Sequence, residues 1–172
     1  STPIKSSAAS DVYKRQKDNW VSEPLDTLCL KLYGGESGIL VIGDTKYAYY
    51  NSKGEMQKEY EYPAKLIDWD YQNGKTALLF QNETKRLSYI TTVDSENKEP
   101  NYSEFENNNA KCIRIIDGHV CVLGKDGITQ YNFKGGSEKK ISSEGSYEEM
   151  IYIDDYIFLL GYDRIDRIDY KS

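Results

Sequence analysis

VCVLGKDGITQYNFKGGSEKKIS, Val120–Ser142, is the stretch that decides the fold. Its first four residues are apolar without alternation, which suits a strand buried on both faces. Asp126-Gly127 follows, and Asp-Gly between apolar runs is a strong hairpin signal because both turn positions favour positive φ. Ile128–Phe133 is rich in β-branched and aromatic residues. Gly135-Gly136 then marks a second turn, and SEKKIS is polar enough for an outer edge. Upstream, Lys111–Ile116 and the Asp117-Gly118 turn complete the pattern. One unit is therefore four strands, near Lys111–Ile116, His119–Leu123, Ile128–Phe133 and Glu138–Ser142.

The pattern recurs. The strongest apolar runs are Ile39–Ile42, Ala77–Phe80, Val120–Leu123 and Tyr156–Leu160. Taking Ile157 in the last, their starts are 38, 43 and 37 residues apart, the spacing of a repeat architecture. Gly43, Gly124 and Gly161 each close a run, and NSKG and NFKG place Gly54 and Gly135 equivalently. The outer runs Met56–Tyr62 and Ser137–Ser142 are polar. Buried second strands, polar fourth strands and a period near 40 residues predict an all-β fold, a partial β-propeller of about three and three-quarter four-stranded antiparallel blades. The blades are expected at about 26–62, 66–106, 110–143 and 149–170, the competing architecture being a β-sandwich. Trp20–Glu23 reads as the remnant outer strand of a preceding blade. The polar stretch Asp94–Asn109 explains the longer second repeat.

Residues Ser6–Gln16, SSAASDVYKRQ, match the translation of a common sequencing-library adapter, and Ser1–Lys5 fit the bases preceding it. Residues 1–16 are expected to be an artefactual, disordered segment, with 17–172 the C-terminal fragment of a propeller. A propeller has about 4–8 blades, so upstream blades are expected to be missing. The final blade has three strands, as when an N-terminal strand completes the ring, and Ser172 is expected to be the true C-terminus. The full sequence carries a net charge of −6. Without Lys5, Lys14, Arg15 and Asp11, the remaining 156 residues hold 19 basic and 27 acidic groups, net −8. An acidic chain without a basic stripe argues against nucleic acid and against docking on an anionic membrane. No apolar run approaches the ~20 residues of a membrane span, so membrane association would come through a missing N-terminal anchor.

Candidate chemistry is sparse. Cys29, Cys112 and Cys121 lie in apolar strands without a CxxC, and read as buried free thiols rather than a zinc site. His119 is the sole histidine, at a strand start, and reads as a rim or packing residue. Asp68 and Asp70 flank Trp69 on an inner strand, both carboxylates on one face, available to a cation, a central channel or solvent. DRIDRID, Asp163–Asp169, reads as a strand with cross-strand ion pairs, since calcium needs about 6–8 convergent oxygens. Asn82-Glu-Thr84 and Asn101-Tyr-Ser103 match the glycosylation triplet at a rate expected by chance.

GKDGITQYNFKG (Gly124–Gly135) and GDTKYAYYNSKG (Gly43–Gly54) resemble bacterial propellers with pyrroloquinoline-quinone-like repeats. The nearest resemblance is to uncharacterised, membrane-anchored bacterial propeller proteins, a domain of unknown function. It covers most of residues 26–170. It implies a protein that is extracytoplasmic and membrane-anchored. The Trp-docking motif of quinoprotein dehydrogenases is missing, because Trp20 and Trp69 do not sit equivalently, so no cofactor is expected. The expected function is a non-enzymatic binding or scaffold module of a bacterial, envelope-associated protein, with a protein or glycan ligand. Its candidate binding face comprises Asp44, Lys125, Asp126, Tyr162 and Asp163 from turns, with Glu148 and Glu149 from a loop leading into an inner strand. The alternative is a fragment of a propeller enzyme, a glycan hydrolase or lyase, whose active site is shared with missing N-terminal blades. In isolation, residues 17–172 are expected to oligomerise or aggregate through an uncovered apolar face of the first blade.

Overall fold

The structure is a computed structural model that describes residues 19–35, 38–94, 99–106 and 109–170. The adapter-like segment 1–16 and Ser172 lie outside the described residues. Fifteen strands and no helix occur among the described residues. They form four antiparallel sheets, each paired in simple sequence order. The first holds β1 (Cys29–Gly35), β2 (Gly38–Gly43), β3 (Lys46–Tyr50) and β4 (Met56–Glu61). The second holds β5 (Lys65–Gln72), β6 (Lys75–Asn82), β7 (Leu87–Val93) and β8 (Asn101–Glu106). The third holds β9 (Cys112–Ile116), β10 (His119–Gly124), β11 (Gly127–Tyr131) and β12 (Ser137–Ser142). The fourth holds three strands, β13 (Tyr147–Ile153), β14 (Tyr156–Gly161) and β15 (Ile165–Asp169). The chain divides into two compact units at Tyr60/Glu61, the first built on the first sheet and the second on the other three.

The turns explain the repeat. Asn51 and Asn132 make the same set of bonds at the ends of β3 and β11. The Asn51 carboxamide oxygen accepts the N–H groups of Lys53 (2.9 Å) and Glu55 (3.0 Å). That of Asn132 accepts Lys134 (2.9 Å) and Gly136 (3.1 Å). In each, the glycine three residues on donates to the asparagine carbonyl, at 3.1 Å from Gly54 and 3.0 Å from Gly135. Both glycines hold positive φ, 84° and 90°. The shared N-x-K-G is thus a side-chain-stabilised turn that re-aims the chain into the polar outer strand. It ends β11 at Tyr131, two residues before the expected Phe133, because Asn132 opens the turn.

The inner hairpins use turns with two left-handed residues: Asn73-Gly74 (φ 50° and 81°), Asp117-Gly118 (51° and 78°) and Asp154-Asp155 (52° and 68°). The β10–β11 turn departs from expectation. Gly124 pairs with Gly127, so the two turn residues are Lys125-Asp126, and Gly127 (φ 134°) begins the next strand. Trp20–Glu23 forms no strand. Trp20 instead stacks near Tyr50, and its indole N–H donates to the Ser52 carbonyl at 3.0 Å.

Within the second unit, one core lies between the second and third sheets and joins Leu79, Ile90, Ile113, Ile115 and Val122. Another lies between the third and fourth and joins Cys121, Leu123, Met150, Ile157 and Leu159. Both faces of β10 are buried in consequence, and Thr76–Phe80 of β6 are buried without a break, as their unbroken apolar runs predict. β14 alternates: Ile157 and Leu159 are buried, while Leu160 is 45% exposed. In the first unit, Leu28, Leu30 and Leu32 are exposed at two-residue spacing along β1 and just before it.

A Cβ on Gly127 would lie 2.1 Å from the Ile141 carbonyl oxygen. Gly127→Ala is therefore expected to destabilise the second unit by about 2 kcal/mol or more, read as a lowered urea midpoint.

Candidate functional site

The turn residues divide into committed and available groups. Asp44, in the β2–β3 turn, accepts the Leu28 N–H and the Thr27 hydroxyl, both at 2.9 Å. Those two bonds hold its carboxyl below the usual aspartate range. Thr27 in turn accepts the N–H of Thr45 at 3.1 Å and its hydroxyl at 2.9 Å. Asp44 thus fastens the start of β1 to its turn. In the second unit, Lys125 and Asp126 form the β10–β11 turn, and the Asp126 carbonyl accepts the Ser143 N–H at 3.2 Å. Tyr162 and Asp163 form the β14–β15 turn, and Tyr162 is fully exposed.

Glu148 and Glu149 do not lie in a loop: both are inside β13. That strand begins at Tyr147, which is buried and pairs with Gly161, and a bulge follows between Tyr147 and Glu149. The bulge turns the two glutamates outward beside the Tyr162-Asp163 turn. Glu148 pairs with Lys111 at 3.6 Å. Lys111 donates its N–H to Leu123 next to the β10–β11 turn, so Lys125, Asp126, Glu148, Tyr162 and Asp163 share one end of the second unit.

The inner strands carry a carboxylate clasp. The N–H groups of Ile113 and Ile115 point off the edge of β9 away from β10. Asp68 accepts the first at 3.0 Å and Asp70 the second at 2.7 Å. The two-residue spacing of the carboxylates on β5 matches the two-residue spacing of outward N–H groups on β9. Arg114, on β9, donates to Asp68 at 2.7 Å and reaches Glu149 at 3.5 Å. Burial pulls the Arg114 guanidinium down, but the Asp68 charge and hydrogen bond outweigh it, and the net shift is upward. The second, third and fourth sheets are thereby joined by one arginine between two acids. Asp68 and Asp70 thus serve neither as a cation pair nor as solvated charges; they satisfy the backbone of the next sheet.

His119 begins β10 and lies 2.7 Å from Glu138, whose carboxylate also accepts Gln130 at 3.0 Å. These bonds, from Gln130 first and His119 second, hold Glu138 below the usual glutamate range. Buried Gln130 bonds the Tyr170 hydroxyl, which also accepts the Cys121 thiol at 3.7 Å. Burial pushes Tyr170 far above the usual tyrosine range. Cys112 and Cys121 are buried, and burial pushes each thiol up to about 11. Cys29 is exposed, contrary to the buried reading of all three, because β1 has little covering either of its faces.

A groove of about 490 Å³ runs between the end of β12 and β15, lined by Ser142, Glu144, Tyr147, Leu159, Asp166 and Ile168 among others. At one end Arg164 pairs with Asp166 at 3.5 Å and donates to the Tyr147 hydroxyl at 3.2 Å, while Tyr147 also bonds Asp166. The Arg164–Asp166 pair joins the end of the β14–β15 turn to β15, not two neighbouring strands as DRIDRID suggests. Asn101 donates its side-chain amide to the Phe133 carbonyl at 2.8 Å and is engaged as a tie, not presented as a glycan acceptor. Among the described residues, no group of three or more His, Cys, Asp or Glu is placed to hold a metal. Among the described residues, no helix is long and apolar enough to cross a membrane.

The sheet pattern is that of β-propeller blades, and solved structures agree. The chain is similar to BamB from Moraxella catarrhalis (12% identity, TM-score 0.56, covering 80% of this chain and 41% of that one). It is similar to Hsv2p of Kluyveromyces lactis (12% identity, TM-score 0.63, 86% and 51%). It is also similar to the Pan2 WD40 domain of Neurospora crassa (9% identity, TM-score 0.51, 75% and 40%). At these identities the likeness shows the fold, a partial β-propeller. The chain spans about two fifths to one half of these structures. No family model matches the chain, and no curated protein matches it.

Asp68→Ala is expected to cost about 2–4 kcal/mol, since it strands a half-buried guanidinium and a backbone donor. Glu149→Ala, which loosens a long exposed pair, should cost below about 0.5 kcal/mol; urea denaturation of both variants measures the contrast. In the folded chain, a thiol reagent at pH 8 should titrate Cys29 alone, with Cys112 and Cys121 reacting after unfolding.

Proposed function

We propose that the chain is a non-enzymatic binding or scaffold module that engages a protein partner through the turn face of its second unit. One observation carries this reading. The carboxylates that would serve catalysis on the inner strands, Asp68 and Asp70, are consumed by backbone N–H groups, whereas the turn face presents Tyr162 fully exposed among charges of both signs. An exposed aromatic with adaptable charged neighbours suits protein recognition. Lys125, Asp126, Glu148 and Asp163 complete the face. Glu149 sits at its inner margin, tied to Arg114. Asp44 braces a turn in the first unit. The resemblance to bacterial propellers with pyrroloquinoline-quinone-like repeats supports an envelope-associated setting, with membrane attachment through an upstream anchor.

In co-precipitation from a bacterial envelope extract, Tyr162→Ser with Lys125→Glu should lose partners that the wild type retains. Tyr102→Ser, at an exposed tyrosine on β8, should keep them. Equal loss by both variants, or by neither, would sink the assignment of this face.

A further inference from the structure

The interfaces between sheets of the second unit can be compared position by position. In the second sheet Leu79 pairs with Ile90, Ile90 pairs with Ser103, and Phe105 follows two residues further along β8. In the third sheet Leu123 pairs with Ile128 and Ile128 with Ile141, so Ser143 takes the place of Phe105. The Ser143 N–H donates to the Asp126 carbonyl at 3.2 Å, which carries the same register past the end of β12. On the receiving side, Val120 pairs with Tyr131 and Ile157 with Ile168, so Ile168 takes the place of Tyr131. Phe105 and Tyr131 fill the gap between the second and third sheets, their ring centroids 5.9 Å apart. Between the third and fourth sheets the corresponding pair is Ser143 and Ile168, and the groove of about 490 Å³ opens there. Tyr147 stands where the preceding interface has Ala110. Its hydroxyl is held by the Glu144 carbonyl and Asp166, so it walls the groove. The opening lies on the face of β15 that looks toward the third sheet. In the filled interface the ring comes from the fourth strand of the preceding sheet, and for the groove that strand is β12.

Four charged side chains line the groove. Arg164 and Asp166 pair with each other, and Arg167 lies over the Tyr156 ring, 4.2 Å from its centroid. Glu144 is exposed, and its carboxylate has no ion pair among the described residues.

We propose that this groove receives one aromatic side chain of a protein partner, with a lysine or arginine beside it that pairs with Glu144. The inference rests on the reading of the chain as a protein-binding module and gives that module an anchor. The preceding interface shows what the space accepts: a phenyl ring carried by an extended strand and seated over the position that Ile168 occupies. Leu159 and Ile168 give the ring an apolar floor. An aromatic ring desolvated in such a slot is the usual form of a binding hot spot. The groove is continuous with the core between the third and fourth sheets, which holds Met150, Ile157 and Leu159, so the ring extends an existing apolar contact. Charge complementarity sets its neighbour. The carboxylate left over at the rim is Glu144, which favours a cation and repels an anion.

Amide chemical shifts of the isotope-labelled full chain test this in titrations with three capped tetrapeptides: acetyl-Ala-Phe-Lys-Ala-amide, acetyl-Ala-Ser-Lys-Ala-amide and acetyl-Ala-Phe-Glu-Ala-amide. The first should shift the amides of Ser143, Tyr147 and Ile168. The second, without a ring, should bind roughly tenfold more weakly or worse, and the third about threefold more weakly. Ser143→Phe supplies the ring from within and should abolish the shifts. Ile168→Tyr, which restores the other ring, is the second blocking variant should the first not fold. Glu144→Lys should remove the preference for Phe-Lys over Phe-Glu. Silence at those amides, equal binding of the serine peptide, or undiminished binding by the blocked variants overturns the proposal. Loss of partners by Tyr162→Ser with Lys125→Glu alongside a silent groove overturns the groove alone and leaves the turn face standing. Partners kept by that double variant but lost by Ser143→Phe support the groove and sink the turn face.

Discussion

Two backbone N–H groups at the edge of β9 that faces away from β10 govern how the second unit is assembled. An inner strand has one paired edge and one bare edge, and a bare donor shielded from water carries a large penalty. Asp68 and Asp70 remove that penalty for Ile113 and Ile115. Because the acceptors are on the neighbouring sheet, satisfying the edge also fixes the offset of one sheet against the next. Arg114 extends the device by balancing Asp68 and reaching Glu149. The apolar cores between sheets favour packing but are not directional; the clasp supplies the direction.

The outer parts of the sheets are set by local chemistry instead. Asn51 and Asn132 direct their turns with one carboxamide oxygen each, and a glycine at positive φ completes each turn. Polar outer strands follow, with one larger side chain turned inward: Tyr60 tilted against Tyr47 in β4, Ile141 against the core in β12. Beside β15 no such outer strand occurs among the described residues. This economy of turn and edge devices lets four sheets of weakly similar sequence adopt one plan.

Much of this plan was legible in the residues. Unbroken apolar runs at Ala77–Phe80 and Val120–Leu123 mark strands buried on both faces, and N-x-K-G marks the outer turn. Errors arose where an effect was not local. Trp20–Glu23 has strand-like residues but pairs with no strand among the described residues, and its tryptophan is used in packing instead. Glu148 and Glu149 look like loop residues because they are charged, yet a bulge lets charged side chains stand outward at the start of a strand. Asp126-Gly127 looks like the β10–β11 turn, but the pairing of Gly124 with Gly127 moves the turn back by one residue.

By itself, then, the sequence determined the number, order and polarity of the strands, because hydrophobic periodicity and turn chemistry act over a few residues. The tertiary structure alone decided the roles of the charged groups. Asp68, Asp70, Asp44 and Glu149 are indistinguishable as carboxylates in a sequence. Whether each binds a ligand, meets solvent or holds a strand depends on which donor lies within hydrogen-bonding reach, and that donor is 16 to 45 residues away along the chain.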